Sequence, residues 1–378
     1  MKKKIAIISS IGGGGHVAVS GALKEVLDPD YSVVVNIMLQ EILAPVDWIQ
    51  QASFGHSSGE QMYNYFIKRR AYRLLNAMAW ISHYFFGSFT KKISHLINNY
   101  LDKTKPDLVI SVAPYFNGYL AEATQARFIP FILIPTDLDA TTFVQGIDNT
   151  HHPLRHIALS FNDPEIKKRA HVKHHPLITG FPVRKEFFTH DQNKEQIKKD
   201  FNIPAYKPVI LILMGAQGSQ STLDFARELA HLTQPAHLIF CLGKNETIQG
   251  QIETIPFLPH LSHTCVGFTP RMADLMAISD CIITKSGSVS VCEALYMNLP
   301  LILDATGGPV LKWEAFNHRF IPEHGFGHSL KKLSDLTPLI DQLLIDNQLP
   351  VIRQTIAAYE KKEALPEIKK LIDRLLGN

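Results

Sequence analysis

The sequence predicts an α/β protein built from two doubly wound, parallel-sheet domains. Its 378 residues exceed what one hydrophobic core usually serves, and 46% of them are apolar, enough for two cores. In the first half, short β-branched runs alternate with stretches of helical period, the pattern of parallel strands with helices on their faces. The alternation lapses in a polar, charged stretch, Asn193–Phe201, and then restarts.

In order, Lys4–Ser9 reads as a strand, Val17–Leu27 as a helix and Val33–Ile37 as a second strand. Leu108–Val112 and Phe131–Pro135 are further strands, with a helix around Gly118–Ala126 between them. After Gly180-Phe181-Pro182 comes the boundary. The restart runs strand Val209–Met214, helix Thr222–His231, strand His237–Cys241, a helix around Arg271–Ala277, strand Cys281–Thr284, helix Val289–Tyr296 and strand Leu301–Leu303. The last stretch, Val351–Leu376, is helical with a break expected at Pro366. The expected domains are therefore 1–184, 185–350 and a helical segment 351–378 packing back on the first. A nucleotide site is expected in the crevice between two such units.

A charged fraction of 19% and a net charge of +3 describe an ordinary globule and point away from nucleic acid. The four cysteines, Cys241, Cys265, Cys281 and Cys292, have no CxxC spacing, so reduced thiols in a cytoplasmic protein are expected. The basic start, MKKKIAIISS, loses its apolar run at Gly12–Gly15 and reads as an opening strand, not a signal peptide. No apolar run approaches the ~20 residues of a membrane span, so any membrane work is done from the surface. Histidines cluster at His151, His152 and His156 and at His171, His174 and His175, without carboxylates or thiols at a ligand spacing. No metal site is expected.

Three strand-to-helix junctions carry small residues where a parallel sheet offers backbone N–H groups to an anion. They are Ser9–His16, containing Gly12–Gly15; Gly215-Ala216-Gln217-Gly218; and Lys285-Ser286-Gly287-Ser288. Glycines let a diphosphate approach the amides, and the helix dipole that follows favours its charge. None of the three ends in Gly-Lys-Ser/Thr or fits GxGxxG, which sets aside ATPase and ordinary dehydrogenase readings. His16, at the mouth of the first loop, can take a proton from a hydroxyl or bind a phosphate. Asp137, in Pro135-Thr136-Asp137-Leu138-Asp139 after a buried strand, can orient His16 or act as the base itself.

With these residues in view, the sequence resembles lipid glycosyltransferases of the GT-B type: the bacterial processive diacylglycerol glucosyltransferases and the plant monogalactosyldiacylglycerol synthases. The most specific stretch is Ile282–Ala294, with Lys285, Ser286, Gly287, Ser288, Val289 and Glu293, followed by Leu299–Leu303. Gly12–His16 (with Gly14 and Gly15), Pro106–Ser111, Thr136–Leu138, Gly180–Arg184, Gly267-Phe268, Glu314 and Asn317 follow in family order. The resemblance implies two Rossmann-like domains facing a central cleft, a UDP-sugar as donor substrate, no cofactor, no metal and inversion at the anomeric carbon. It further implies that Glu293 holds the ribose hydroxyls, that Phe268 lies beside the uracil and that Glu314 and Asn317 belong to the sugar-contacting loop. Trp313 stands where the family commonly has glutamine, which leaves the sugar open, and Ala216 stands where some relatives have serine.

Between Glu60 and Asp102 there is no acidic residue, while Lys68, Arg69, Arg70, Arg73, Lys91 and Lys92 are interleaved with aromatics including Trp80, Phe85 and Phe86. Cations draw anionic headgroups and aromatic rings favour the bilayer interface, so this segment is the expected membrane or acceptor face. The function expected is an inverting transfer of a hexosyl unit from a UDP-sugar to a lipid hydroxyl, with His16 or Asp137 as base, at the inner face of the cell membrane. Epimerase or hydrolase chemistry on a UDP-sugar, or a non-catalytic nucleotide-sugar and membrane-surface binding protein, is the alternative.

Overall fold

A computed structural model describes residues 2–69, 71–149, 153–170, 176–189, 193–215, 221–243, 245 and 247–377, with the side chains of 68 and 79–85 left out of the description. Two compact units emerge: residues 1–184 with 311–313 and 360–378, and residues 185–310 with 314–359.

The first unit opens with β1 (Lys4–Ser9), α1 (Gly15–Leu27) and β2 (Ser32–Ile37), followed by the helices α2 (Trp48–Ala52), α3 (Gly59–Lys68), α4 (Tyr72–Gly87) and α5 (Thr90–Thr104). It continues with β3 (Leu108–Ser111), α6 (Asn117–Gln125), β4 (Phe131–Leu133), β5 (Arg155–Leu159), α7 (Pro164–Ala170) and β6 (Leu177–Ile178). The strands form one sheet in the order β2-β1-β3-β4-β5-β6, all parallel. Ile5, Ile7 and Ile8 of β1 and Leu108, Val109 and Ile110 of β3 are wholly buried, because helices cover both faces of such a sheet. In α1 the buried positions Val19, Ala22, Leu23 and Leu27 recur at helical spacing on one face. A reciprocal cap starts α3: Ser58 Oγ accepts from the Gln61 N–H, and Gln61 Oε1 accepts from the Ser58 N–H. The direction of strand addition reverses between β1 and β3, where the loops at the carboxyl ends of those strands part.

The second unit runs α8 (Lys194–Asp200), β7 (Val209–Leu213), α9 (Ser221–Leu229), β8 (His237–Gly243), α10 (Thr247–Glu253), β9 (Ser262–Gly267), α11 (Met272–Ile278) and β10 (Cys281–Lys285). Then come α12 (Ser288–Tyr296), β11 (Leu301–Asp304), α13 (Asn317–Glu323), β12 (Gly327–Leu330), α14 (Leu336–Ile345) and α15 (Gln348–Ala358). Its parallel sheet has the order β12-β11-β10-β7-β8-β9, with the reversal between β7 and β10. Ile210, Ile212, Phe240 and Ile283 anchor its core, against Phe225 and Leu229 of α9.

The final segment divides, which corrects the expectation that 351–378 packs back as one piece. Helix α15 stays with the second unit, where it packs on α14 and the Arg353 guanidinium donates to the Ser279 carbonyl at 2.8 Å. Helix α16 (Ala364–Leu376) belongs to the first unit, burying Leu365, Ile368, Leu371 and Ile372 against α1, with the Tyr31 hydroxyl donating to Asp373. Pro366 breaks nothing. It sits in the first turn of α16, where no intrahelical N–H is required, and the break falls earlier, between Ala358 and Ala364.

Candidate active site

Each unit brings chemistry to the carboxyl ends of its strands at its own point of reversal. In the first unit that chemistry is His16, the second residue of α1. Its Nδ1 lies 2.9 Å from the Val112 carbonyl oxygen, just past β3, and 2.7 Å from Thr136 Oγ1, past β4. A carbonyl can only accept, so Nδ1 carries the hydrogen and Nε2 is the bare, basic nitrogen. Burial pulls the His16 pKa down to about 4, against the hydrogen bond to Val112, so the ring is neutral near pH 7. The hydroxyl that orients His16 belongs to Thr136, which the sequence reading quoted without a role. Asp137 follows it, half-buried, lining the same cavity as His16, and its charge adds to burial in raising the Tyr115 pKa to about 12.

From Ile11 to Gly13 the first glycine loop is not an open anion cradle, because its N–H groups are already engaged. The Ile11 N–H and the Ser10 hydroxyl donate to Glu60 Oε1 at 3.1 and 2.5 Å, the Gly13 N–H to Asn64 Oδ1 at 2.8 Å, and the Gly12 N–H to Ser10 Oγ at 3.0 Å. Asn64 also donates to the Ile11 carbonyl at 2.8 Å. Helix α3 thus clamps the loop through two residues one turn apart, and its buried carboxylate would repel a phosphate there. Burial raises the Glu60 pKa, opposed by the hydrogen bonds from Ser10 and Ile11. The N–H groups of Gly14 and Gly15, which open α1, have no hydrogen-bond partner among the described residues and still face outward from the helix end. Glu60 and Asn64 were missed, because nothing local in the sequence marks a contact made about fifty residues away.

Behind His16 opens a cavity of about 490 Å³ in the first unit. Met38, Leu39, Ile49, Leu75, Met78 and Phe86 give it apolar walls, and Tyr63 and Trp313, with ring centroids 6.1 Å apart, close one side. Phe86, expected at the membrane or acceptor face, turns inward to this cavity and meets Phe116 edge-on at 5.0 Å. Arg69 and Arg73 are exposed, with the Arg69 guanidinium 4.3 Å from the centre of the Tyr65 ring. Arg70 and the side chains of Lys68, Trp80 and Phe85 lie outside the described residues.

In the second unit two glycine loops meet at Lys285, the last residue of β10. Gly215, at φ +93°, follows β7, and a Cβ there would stand 3.3 Å from Lys285 Cε and 3.7 Å from its Nζ. The same Nζ is 4.0 Å from where a Gly287 Cβ would be. Any side chain at 215 would strain the backbone and push the lysine aside. Lys285 is half-buried and has no ion pair among the described residues. Ala216, Gln217 and Gly218 lie outside the described residues. Past the loop, Ser288 is buried and Val289 half-buried in the first turn of α12, whose N-cap residue, Gly287, has no side chain to cap the helix.

Asn317 and Glu314 hold this loop from behind. The Asn317 amide donates to the Ser286 carbonyl at 2.6 Å and to Ser288 Oγ at 3.0 Å, and Glu314 Oε2 accepts from the Ser286 hydroxyl at 2.9 Å. Asn317 is wholly buried with its amide hydrogens directed at the loop, so what the structure gives it is a positioning contact. Glu314 keeps Oε1 available, 3.7 Å from the Cβ position of Gly287. Glu293, in the second turn of α12, is 9% exposed, so it is not an ordinary solvated helix carboxylate. Phe268, just past β9, is 64% exposed, an aromatic face turned out of the core.

His156 stands in β5 with its pKa lowered by burial and then by the charge of Arg374, while His151, His152, His171, His174 and His175 lie outside the described residues. Among the described residues no three metal-ligating side chains converge. Cys241, Cys281 and Cys292 are buried and Cys265 half-buried, and among the described residues none of them forms a disulfide. Among the described residues no helix is long and apolar enough to cross a membrane.

Residues 209–303 match the family model of the glycosyltransferase family 28 C-terminal domain. The chain is 23% identical to the chloroplastic monogalactosyldiacylglycerol synthase of Spinacia oleracea, over 99% of this chain and 73% of that protein. It is 23% identical to the processive diacylglycerol beta-glucosyltransferase of Bacillus pumilus, over 100% of this chain and 97% of that protein. Among solved structures, Acinetobacter baumannii MurG superposes with a TM-score of 0.66 at 15% identity, over 99% of this chain and 100% of that one. The glycosyltransferase SnogD of Streptomyces nogalater gives 0.63 at 14% identity, over 99% and 100%. The chain is therefore a glycosyltransferase of the GT-B fold, matched over residues 209–303 by the family 28 C-terminal domain model and similar along its whole length to lipid glycosyltransferases.

Proposed function

We propose that this enzyme moves a hexosyl unit from a UDP-sugar, with inversion, onto a hydroxyl of a membrane lipid such as diacylglycerol. The observation that carries the reading is an apolar cavity with one bare imidazole nitrogen in its wall. A lipid needs the first, and deprotonating its hydroxyl needs the second. The printed names of the relatives, a diacylglycerol glucosyltransferase and a monogalactosyldiacylglycerol synthase, support the same substrate class.

In this reading the acceptor hydroxyl gives its proton to His16 Nε2 as its oxygen bonds to the anomeric carbon. The bond from that carbon to the diphosphate breaks, and its electron pair leaves with UDP. An imidazole with a pKa of about 4 is too weak to ionise a free alcohol, so proton transfer accompanies carbon–oxygen bond formation. The leaving charge falls to Lys285 and to the N–H groups that open α12, so no cofactor is required. Glu293 takes the ribose diol, a carboxylate accepting from both hydroxyls, and Phe268 offers its exposed face to the uracil. Asp137 adds negative charge near His16 and favours the imidazolium as it forms.

Exposed Arg69 and Arg73 suit anionic headgroups, which supports a peripheral protein on the cytoplasmic face of the cell membrane, with lipid and not nucleic acid as its partner. The test is a panel of UDP-hexoses incubated with diacylglycerol vesicles, reading released UDP and glycolipid. UDP release that depends on lipid supports the reading. Conversion of the UDP-sugar without acceptor would replace it with epimerase or hydrolase chemistry.

A further inference from the structure

The turn between α2 and α3 carries Phe54, 92% exposed, the most exposed large apolar side chain among the described residues. It is no loose end. The Gly55 N–H donates to the Gln50 carbonyl at 2.8 Å, the Ser53 hydroxyl to the Ser57 carbonyl at 2.8 Å, and the Ser57 N–H back to Ser53 Oγ at 3.0 Å. Phe54 itself holds φ +52°, a left-handed conformation that bulky residues rarely adopt. An ordered turn thus keeps a phenyl ring in water, where it gains nothing for the fold.

The surroundings say what would cover it. From Trp48 to Gly59 the chain has no Asp, Glu, Lys or Arg. Trp48 is 43% exposed at the start of α2 and also lines the cavity that holds His16. A shallow depression beside Phe54 is walled by Ala44, Pro45, Gln50, Gln51 and Gly55, and the exposed Lys92 donates to the Pro45 carbonyl at 2.9 Å. An uncharged aromatic tip with a cation at its shoulder fits the interface of an anionic bilayer, with rings at headgroup depth and ammonium against phosphate.

We propose that the α2–α3 turn enters the interface of an anionic lipid bilayer, Phe54 foremost, and seats the cavity edge marked by Trp48 against the membrane. This contact lies upstream of the basic segment 61–101. It rests on the lipid-transfer reading only for why a membrane is visited.

The full chain would be sedimented with vesicles of phosphatidylcholine and phosphatidylglycerol. Phe54→Asn, with a residue that tolerates the left-handed backbone, should lower vesicle partition by about tenfold or more and keep that loss at high salt, because the lost term is apolar. Phe54→Trp should restore binding, and its fluorescence should be quenched by brominated lipid. The melting temperature and UDP affinity of Phe54→Asn should equal those of the parent. Equal partition of Phe54→Asn and parent at every salt concentration overturns the proposal, as does a parent protein that binds no vesicles. Vesicle binding that depends on Phe54 in an enzyme that makes no glycolipid would refute the lipid-transfer reading and leave the membrane contact standing.

Discussion

Replacing Asn317 by leucine removes two hydrogen bonds at the back of the Lys285–Ser288 loop while keeping the side chain's approximate volume. The lost contacts are those to the Ser286 carbonyl at 2.6 Å and to Ser288 Oγ at 3.0 Å. Leaving a buried carbonyl unpaired costs roughly 1–3 kcal/mol, and the lost hydroxyl contact about 1 kcal/mol. Asn317 Oδ1 is itself buried without a partner, so its removal returns part of that cost. The net expectation is about 2 kcal/mol of stability. The loop released is the one that opens α12 and carries Lys285, so UDP affinity should fall about tenfold. Calorimetric titration with UDP and with UDP-glucose separates the two roles open to this residue. A residue that holds the loop weakens both ligands equally, whereas one that touches sugar weakens only UDP-glucose. Undiminished UDP affinity in a folded Asn317→Leu protein would refute the positioning role.

His16→Ala should lower turnover by roughly 10²–10⁴ while leaving UDP affinity nearly unchanged, as pre-steady-state kinetics beside calorimetry would show. The acid limb of the rate profile should fall near pH 4 and not near 6.5, because burial depresses the His16 pKa to about 4 and only the neutral ring accepts a proton. A limb near 6.5 would mean that His16 is solvated in the working enzyme. Glu293→Ala should weaken UDP about tenfold or more, the usual loss of ~1.5–3 kcal/mol for a charge-assisted hydrogen bond. Unchanged affinity would remove Glu293 from the donor site.

Strands apolar on both faces were legible, as in Val209–Leu213 and Cys281–Lys285, whereas Arg155–Leu159, which opens with Arg and His, was not. Two edge strands of the second sheet were not: Ser262–Gly267 and Gly327–Leu330 are rich in Ser, His, Thr and Gly, and pair on one side only, whereas the edge strand Ser32–Ile37 carries a Val run and was read. The glycine loops and His16 were visible as residues, but not which amides were already taken. Glu60 and Asn64 engage most of the first loop from a helix about fifty residues further along the chain. Asn317 was visible as a motif residue, but a motif records position and not direction, and its complete burial behind the loop was not legible. The aromatic segment misled in the same way. Tyr65 faces water while Tyr63 and Phe86 line the cavity, a division that helix phase decides and composition does not.

The central claim, base-assisted transfer of a hexosyl unit to lipid, is tested most directly by the product. The purified enzyme would be given a UDP-hexose of α configuration and diacylglycerol vesicles, and the lipid phase examined by mass spectrometry and NMR. The account predicts a β-linked glycosyl lipid formed in step with UDP and absent with His16→Ala. Free hexose or an epimerised donor without glycolipid, or a glycolipid formed at the parent rate by His16→Ala, would contradict it.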